Sequence, residues 1–193
     1  MPRFGGFVRA YAWNQRPRLF VSVDMWSDRR KTVLDATAGL RQYWRGRDAS
    51  RVLFLDLRRE VLPDVVASNE FLPFQSGVFK EVAYDPPHIY GEKKGASYYL
   101  TGFGFRYWVW ERKGQLLRNV VAVNREFARV LRAGGKVVLK WTDIPDQVQH
   151  DFVLGLLSNF ELNGVEEWKS RSGTQNRTFL FTLVKKCAPR LSK

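Results

Sequence analysis

Thr32-Val33-Leu34-Asp35-Ala36-Thr37-Ala38-Gly39 is the stretch from which the fold of this chain is read. A short apolar run ends in a carboxylate and opens onto four small residues, which suits a tight strand-to-helix turn. The same figure recurs outward along the chain. Val52-Leu53-Phe54-Leu55 ends at Asp56, Val65-Val66-Ala67 at Ser68-Asn69, and Val82-Ala83-Tyr84 at Asp85-Pro86-Pro87. Lys136-Val137-Val138-Leu139-Lys140 follows the turn Ala133-Gly134-Gly135. Before that turn, Val120, Val123, Phe127, Val130 and Leu131 fall at helical spacing and predict a helix over 119–132. Residues 152–160 read as a second helix, and 165–168 and 178–184 as two closing strands. Apolar runs alternating with amphipathic stretches predict an α/β protein with a parallel sheet covered by helices. Ligands of such sheets bind in the crevice at the carboxyl ends of the strands, so acids ending several strands outline a site.

The length of 193 residues fits one domain spanning the whole chain, and no repeat or linker marks a second. A single cysteine, Cys187, excludes an internal disulfide framework. With only His88 and His150 besides, the chain offers no ligand set for a zinc enzyme, so no metal is expected. No apolar run reaches the ~18–20 residues of a membrane span, and Met1–Gly6 lacks a signal-peptide core. The expectation is a soluble cytoplasmic protein with no membrane partner.

The net charge of +13 points to a polyanionic partner. Three segments account for all of it: an N-terminal extension (1–31, +5), an internal segment (90–118, +4) and a tail (185–193, +4). The internal segment is aromatic as well as basic. Tyr90, Tyr98, Tyr99, Phe103, Phe105, Tyr107, Trp108 and Trp110 stand among Lys93, Lys94, Arg106 and Arg112. Rings stack on unpaired bases while cations follow the phosphate backbone, so this segment is the expected nucleic-acid contact. Its substrate-binding candidates are Tyr90, Lys93, Lys94, Tyr98, Tyr99, Arg106, Trp108 and Arg112.

The small residues Ala36, Thr37, Ala38 and Gly39 let a ligand approach the backbone, without the dinucleotide fingerprint or a P-loop. Asp56 follows Asp35 by 21 residues, near the interval at which a strand-end acid accepts hydrogen bonds from ribose hydroxyls. Asp85-Pro86-Pro87-His88 is more specific. Prolines cannot continue the strand ladder, so a backbone carbonyl is left to face the crevice. That carbonyl and the Asp85 carboxylate can together accept both hydrogens of an exocyclic amine and leave its lone pair nucleophilic. His88 is placed to lie against the ring.

The order VLDATAG (33–39), LFLD (53–56), LPFQSGVFKEV (72–82), DPPH (85–88) and REFARVLRAGGKVVLK (125–140) resembles a class I S-adenosylmethionine-dependent methyltransferase. The DPPH element is similar to the signature of amino-methyltransferases acting on adenine N6 or cytosine N4, in the variety with His at the fourth place. The resemblance implies a Rossmann-like, seven-stranded, mostly parallel sheet with helices on both faces. It also implies S-adenosyl-L-methionine as cofactor. Asp35, Ala36, Thr37 and Gly39 would line its methionine part, Asp56 would hold the ribose, and Ser68-Asn69 would approach its adenine. Asp85, Pro86, Pro87 and His88 would hold the target base as the catalytic group.

Lacking a separate DNA-recognition domain, such a basic enzyme is expected to act on RNA, ribosomal RNA first and transfer RNA second. DNA methylation, methylation of a protein glutamine, a noncatalytic RNA-binding scaffold and a nicotinamide-dependent dehydrogenase are the competing readings. Lys140-Trp141 borders either a substrate mouth or a packed sheet edge. His150 reads as an exposed neighbour of a helix cap, Trp168 as packing under the last strands, and Cys187 as inert.

Overall fold

A computed structural model of the chain describes residues 31–91, 110–168 and 176–187. Lys93, Lys94, Tyr98, Tyr99, Arg106 and Trp108 lie outside the described residues, as do residues 1–30 and 188–193. Seven strands form one sheet: β1 (Val33–Asp35), β2 (Val52–Asp56), β3 (Val65–Val66), β4 (Phe79–Tyr84), β5 (Leu131–Asp143), β6 (Phe160–Trp168) and β7 (Arg177–Lys185). Their order is β3-β2-β1-β4-β5-β7-β6. The first five run parallel, and β7 lies antiparallel to both β5 and β6. The order turns back on itself between β1 and β4, which puts a crevice at their carboxyl ends.

Two α-helices are present among the described residues, α1 (Lys113–Val130) and α2 (His150–Leu156). The helix expected over 119–132 thus starts and ends earlier. It starts earlier because the Gln115 side chain accepts the N–H groups of Glu111 and Arg112, at 3.0 and 3.2 Å, and caps the first turn. It ends earlier because Leu131 already pairs with Phe79 in the sheet. The expected turn at 133–135 becomes an excursion inside β5: the register jumps from Phe79↔Leu131 to Glu81↔Lys136, with Gly134 at φ +67°. A side chain at that left-handed position would be strained, so glycine suits it. The second helix likewise stops short of 160, because Phe160 pairs with Lys185.

The connections after β1, β2 and β3 are spare. They hold only short 3-10 turns at Gln42–Trp44 and Arg59–Val61. The link 57–64 is shorter than the ~10–12 residues of a crossover that carries a helix. No helix among the described residues is long and apolar enough to cross a membrane.

The core lies between the sheet and α1. Leu116, Val120, Val123, Phe127 and Val130 are fully buried along one stripe of α1, and Phe127 meets Tyr84 edge-on at 5.1 Å. Trp141 and Phe79 are buried completely. One polar network crosses this interface. Buried Asn119 accepts from the Tyr84 hydroxyl at 2.8 Å and donates to Asn69 and Glu70, both at 2.9 Å. Asn119→Ala would leave the Tyr84 hydroxyl buried without its partner, an expected loss of about 2 kcal/mol in urea unfolding.

Candidate active site

The carboxyl ends of β1, β2 and β4 bring Asp35, Asp56 and Asp85 to one edge of the sheet. Each acid is held by a different kind of donor. Buried Asp35 accepts from the Thr37 N–H at 3.0 Å and from the Trp44 indole N–H at 2.7 Å. Asp56 accepts from the Gly39 N–H at 2.8 Å and the Arg58 N–H at 2.9 Å. The Arg58 guanidinium also lies across it, at 3.2 and 3.4 Å. Asp85 receives the Lys140 ammonium on Oδ2 at 2.7 Å, with both side chains about three-quarters buried.

Burial pushes the Asp35 carboxyl up to about 7, with smaller contributions from the charges of Asp85 and Asp56; the Thr37 and Trp44 hydrogen bonds oppose the rise. A cationic group brought to this edge would favour the ionised form.

Between the acids lies the turn Ala36–Gly39, whose Gly39 adopts φ +49°. A Cβ there would also come within 3.4 Å of the Arg58 guanidinium. The turn is tied to β4, the neighbour of β1 in the sheet: the Asp85 N–H donates to the Thr37 hydroxyl at 2.8 Å. Ser68 and Asn69 follow β3, and their side chains have partners within the protein. Ser68 accepts the Glu70 N–H at 3.2 Å, and Asn69 bridges Asn119 to the Ala36 carbonyl, which it reaches at 3.4 Å.

Beyond Asp85, the two proline carbonyls differ. The Pro87 carbonyl accepts the Trp110 indole N–H at 2.7 Å. Among the described residues the Pro86 carbonyl faces His88 Nδ1, at the longer distance of 3.4 Å. The His88 ring lies 5.7 Å from that of Trp141, tilted by 52°. Burial pushes the His88 imidazolium down more than nearby Asp85 raises it, so the ring is neutral at pH 7.

Two expectations need correction. Tyr90 does not present a free platform: its N–H donates to the Gln147 side chain at 2.9 Å, its hydroxyl to the Asp146 carbonyl at 3.0 Å, and its ring packs on the core. Trp110, also counted in the aromatic segment, is committed to Pro87 and bridges to Tyr90. The 144–149 loop folds back beside Tyr90 and supplies both of its partners. His150 is not merely an exposed neighbour of the cap. Its ring lies against Phe181 at 5.2 Å and its Nδ1 sits 2.6 Å from Asp143, whose other oxygen accepts the His150 N–H. Arg112 is exposed just ahead of α1.

Trp44 and Arg58 escaped the sequence reading. Trp44 carries no signal at nine residues from Asp35, because only the folded loop brings them together. Arg58, two residues after Asp56, is legible in hindsight as a local ion pair. Of Lys140-Trp141, read as bordering either a substrate mouth or a packed sheet edge, Trp141 is buried in the core and Lys140 reaches Asp85.

The seven-stranded sheet and its order match the fold of solved class I methyltransferases. No protein-family model and no curated protein matches the chain. Solved structures do. A 16S rRNA (adenine-N(1))-methyltransferase from Catenulisporales acidiphilia, solved with its cosubstrate, superimposes with a TM-score of 0.53 at 13% identity, over 86% of this chain and 91% of that one. A SAM-dependent methyltransferase from Methanosarcina mazei gives 0.51 at 15% identity, over 79% and 91%. A geranyl diphosphate methyltransferase gives 0.51 at 13% identity, over 81% and 78%. The shared feature is the fold. The acceptors of these three proteins are not alike, since one is a ribosomal RNA and another a small diphosphate.

The elevated Asp35 carboxyl bears on stability. Between its ordinary value of 3.8 and about 7 the native protein holds a proton that the unfolded chain releases. The favourable contribution is therefore fully present below pH 4 and lost as pH rises through 7, with an upper bound of about 4 kcal/mol. Melting temperatures from pH 5 to 8 should fall more steeply for the wild type than for Asp35→Asn. Parallel curves would refute the assignment.

Proposed function

We propose that this chain is an S-adenosylmethionine-dependent methyltransferase acting on an exocyclic base amine, cytosine N4 or adenine N6, in RNA. Ribosomal RNA is the first choice of acceptor and transfer RNA the second. The observation that carries the reading is the Thr37–Asp85 tether. It joins the small-residue turn at β1 to the Asp-Pro-Pro-His corner at β4, with 2.8 Å between the bonded atoms. A donor seated on one and an acceptor gripped by the other are held in fixed relation, the form of catalysis that alignment alone can supply.

The residues present fit the cofactor. Ala36, Thr37 and Gly39 form a turn that a ligand can approach, the buried Asp35 lies behind it, and Asp56 lies at the strand end next to it. Arg58 already covers Asp56, so ribose hydroxyls would share that carboxylate with the guanidinium or displace it. When bound, S-adenosylmethionine supplies a methyl group on a positively charged sulfur.

Asp85 and the Pro86 carbonyl then do the substrate work. Lys140 occupies Oδ2 of Asp85, which leaves Oδ1 and the weakly engaged Pro86 carbonyl as two acceptors for the two amine hydrogens. Both hydrogens so held leave the nitrogen lone pair free to point at the incoming carbon. The neutral His88 ring, backed by Trp141, gives a flat base an uncharged neighbour. Once the nitrogen has gained its methyl group, its surplus proton is acidic and passes to Asp85 or to water. The base must leave its stack to reach this corner, at a cost of a few kcal/mol.

The fold accommodates small-molecule acceptors as well, so the substrate class rests on the corner chemistry and the +13 charge. The competing DNA and protein-glutamine readings separate from this one by substrate. Purified protein is incubated with isotopically labelled cofactor and, in parallel, unmodified ribosomal RNA, transfer RNA, duplex DNA and ribosomal proteins. Nucleoside mass spectrometry should show N4-methylcytidine or N6-methyladenosine in RNA. Label in DNA or protein alone would overturn the reading. Asp85→Ala should retain cofactor binding by calorimetry and lose at least about 100-fold in transfer rate.

Lys140 offers a second check. Lys140→Met should lower kcat by about tenfold or more with the KM for cofactor unchanged, and Lys140→Arg should recover part of the loss. An unchanged kcat in Lys140→Met would show that the ion pair only braces the sheet.

A further inference from the structure

The chain's body outside its three basic segments is neutral in sum, and the fold turns that neutrality into an asymmetry. Residues 40–64 hold Arg41, Arg45, Arg47, Arg58 and Arg59, with Arg51 apart at the amino end of β2, against Asp48, Asp56, Glu60 and Asp64, whereas β6 carries Glu161, Glu166 and Glu167 with no base of its own. The sheet order puts β2 and β1 toward one edge and β6 at the other. The flank of the site at β1 and β2 is therefore the more cationic one, and at the far edge Glu167 of β6 is already paired with Arg177 of β7, at 2.8 Å.

The cationic flank is built rather than loose. Arg41 stands in the left-handed region at φ 55°, lays its guanidinium 4.1 Å above the Phe54 ring, and donates to the Leu62 carbonyl at 3.0 Å. That bond joins the β1–β2 loop to the turn holding Arg59. Arg47 covers the Tyr43 ring at 4.5 Å and donates to its hydroxyl at 3.1 Å. Trp44, in the same loop, is clamped to Asp35. Arg41, Arg45, Arg47 and Arg59 remain exposed. The acid in this loop, Asp48, accepts the Ser50 N–H at 2.8 Å. A loop fastened to the cofactor-side carboxylate thus presents several guanidinium groups to solvent.

We propose that Arg41, Arg45, Arg47 and Arg59 form a phosphate-tracking surface that carries the RNA backbone past the β1 and β2 ends of the site. It rests on the RNA reading above and adds a contact surface distinct from the aromatic segment. Planar guanidinium groups suit phosphate oxygens, and stacked on aromatic rings they lose little freedom on binding.

The test is fluorescence anisotropy with a labelled single-stranded oligoribonucleotide of about 20 nucleotides over a range of salt. Each arginine that no longer neutralises a phosphate of the single strand reduces the steepness of log K against log salt by about 0.7. Arg45→Gln/Arg59→Gln, which spares the Arg41 packing, should reduce it by about 1.4 and weaken binding about tenfold near 0.1 M salt. Adding Arg41→Gln should bring the slope change to about 2. Arg51→Gln removes an equal charge at the amino end of β2, away from the site, and should leave the slope unchanged. An equal effect in Arg51→Gln would show diffuse charge and overturn the surface. So would an unchanged slope in the double variant, or arginine-dependent binding to phosphatidylserine vesicles without binding to RNA. If RNA is methylated but the slopes do not move, the surface falls and the enzyme reading stands. If the slopes move but no RNA is methylated, the reverse holds.

Discussion

Three carboxylates brought to one edge of a parallel sheet repel one another and lose water, and most of the local architecture answers that problem. Asp35 is buried behind the turn and takes an indole and a backbone amide. Asp56 draws an arginine from its own loop, and Asp85 draws a lysine from the neighbouring strand. Each solution also fixes a loop: Trp44 clamps the β1–β2 connection, Arg58 the start of the next, and Lys140 ties the Asp-Pro-Pro-His corner to β5.

The economy of the first half of the chain has the same origin. With only 3-10 turns in the β1–β2 and β2–β3 connections, the strand ends are shaped by side chains rather than by helix termini. Arginines and aromatic residues do this work, which is why the loops that position the strand-end acids also carry exposed positive charge. The second half is conventional by comparison. There α1 buries an apolar stripe against β4 and β5, and one asparagine network, centred on Asn119, joins that stripe to the turn after β3.

Much of this was legible along the chain. Apolar runs closed by Asp35, Asp56 and Asp85 are local patterns, and the strands form where those runs stand, because burial of alternating or continuous apolar residues dictates them. The Asp-Pro-Pro-His corner was legible for a similar reason: proline's missing N–H ends a ladder wherever it occurs. The edges of elements were less so. Leu131 left its helix to pair with Phe79, and Tyr90 and Trp110 turned from presumed base platforms into anchors, because partners far along the chain claimed them.

The sequence by itself determined the alternation of strands and helices, the acids at the strand ends, the proline corner and the excess of positive charge. These depend on residue type and on neighbours a few positions away. Tertiary structure alone decided that Thr37 holds Asp85, that Lys140 occupies one of its oxygens, that Arg58 covers Asp56, and that Trp44 reaches Asp35. Those outcomes depend on strand order, and hydrogen bonds and Coulomb forces act over a few ångströms whatever the separation along the chain.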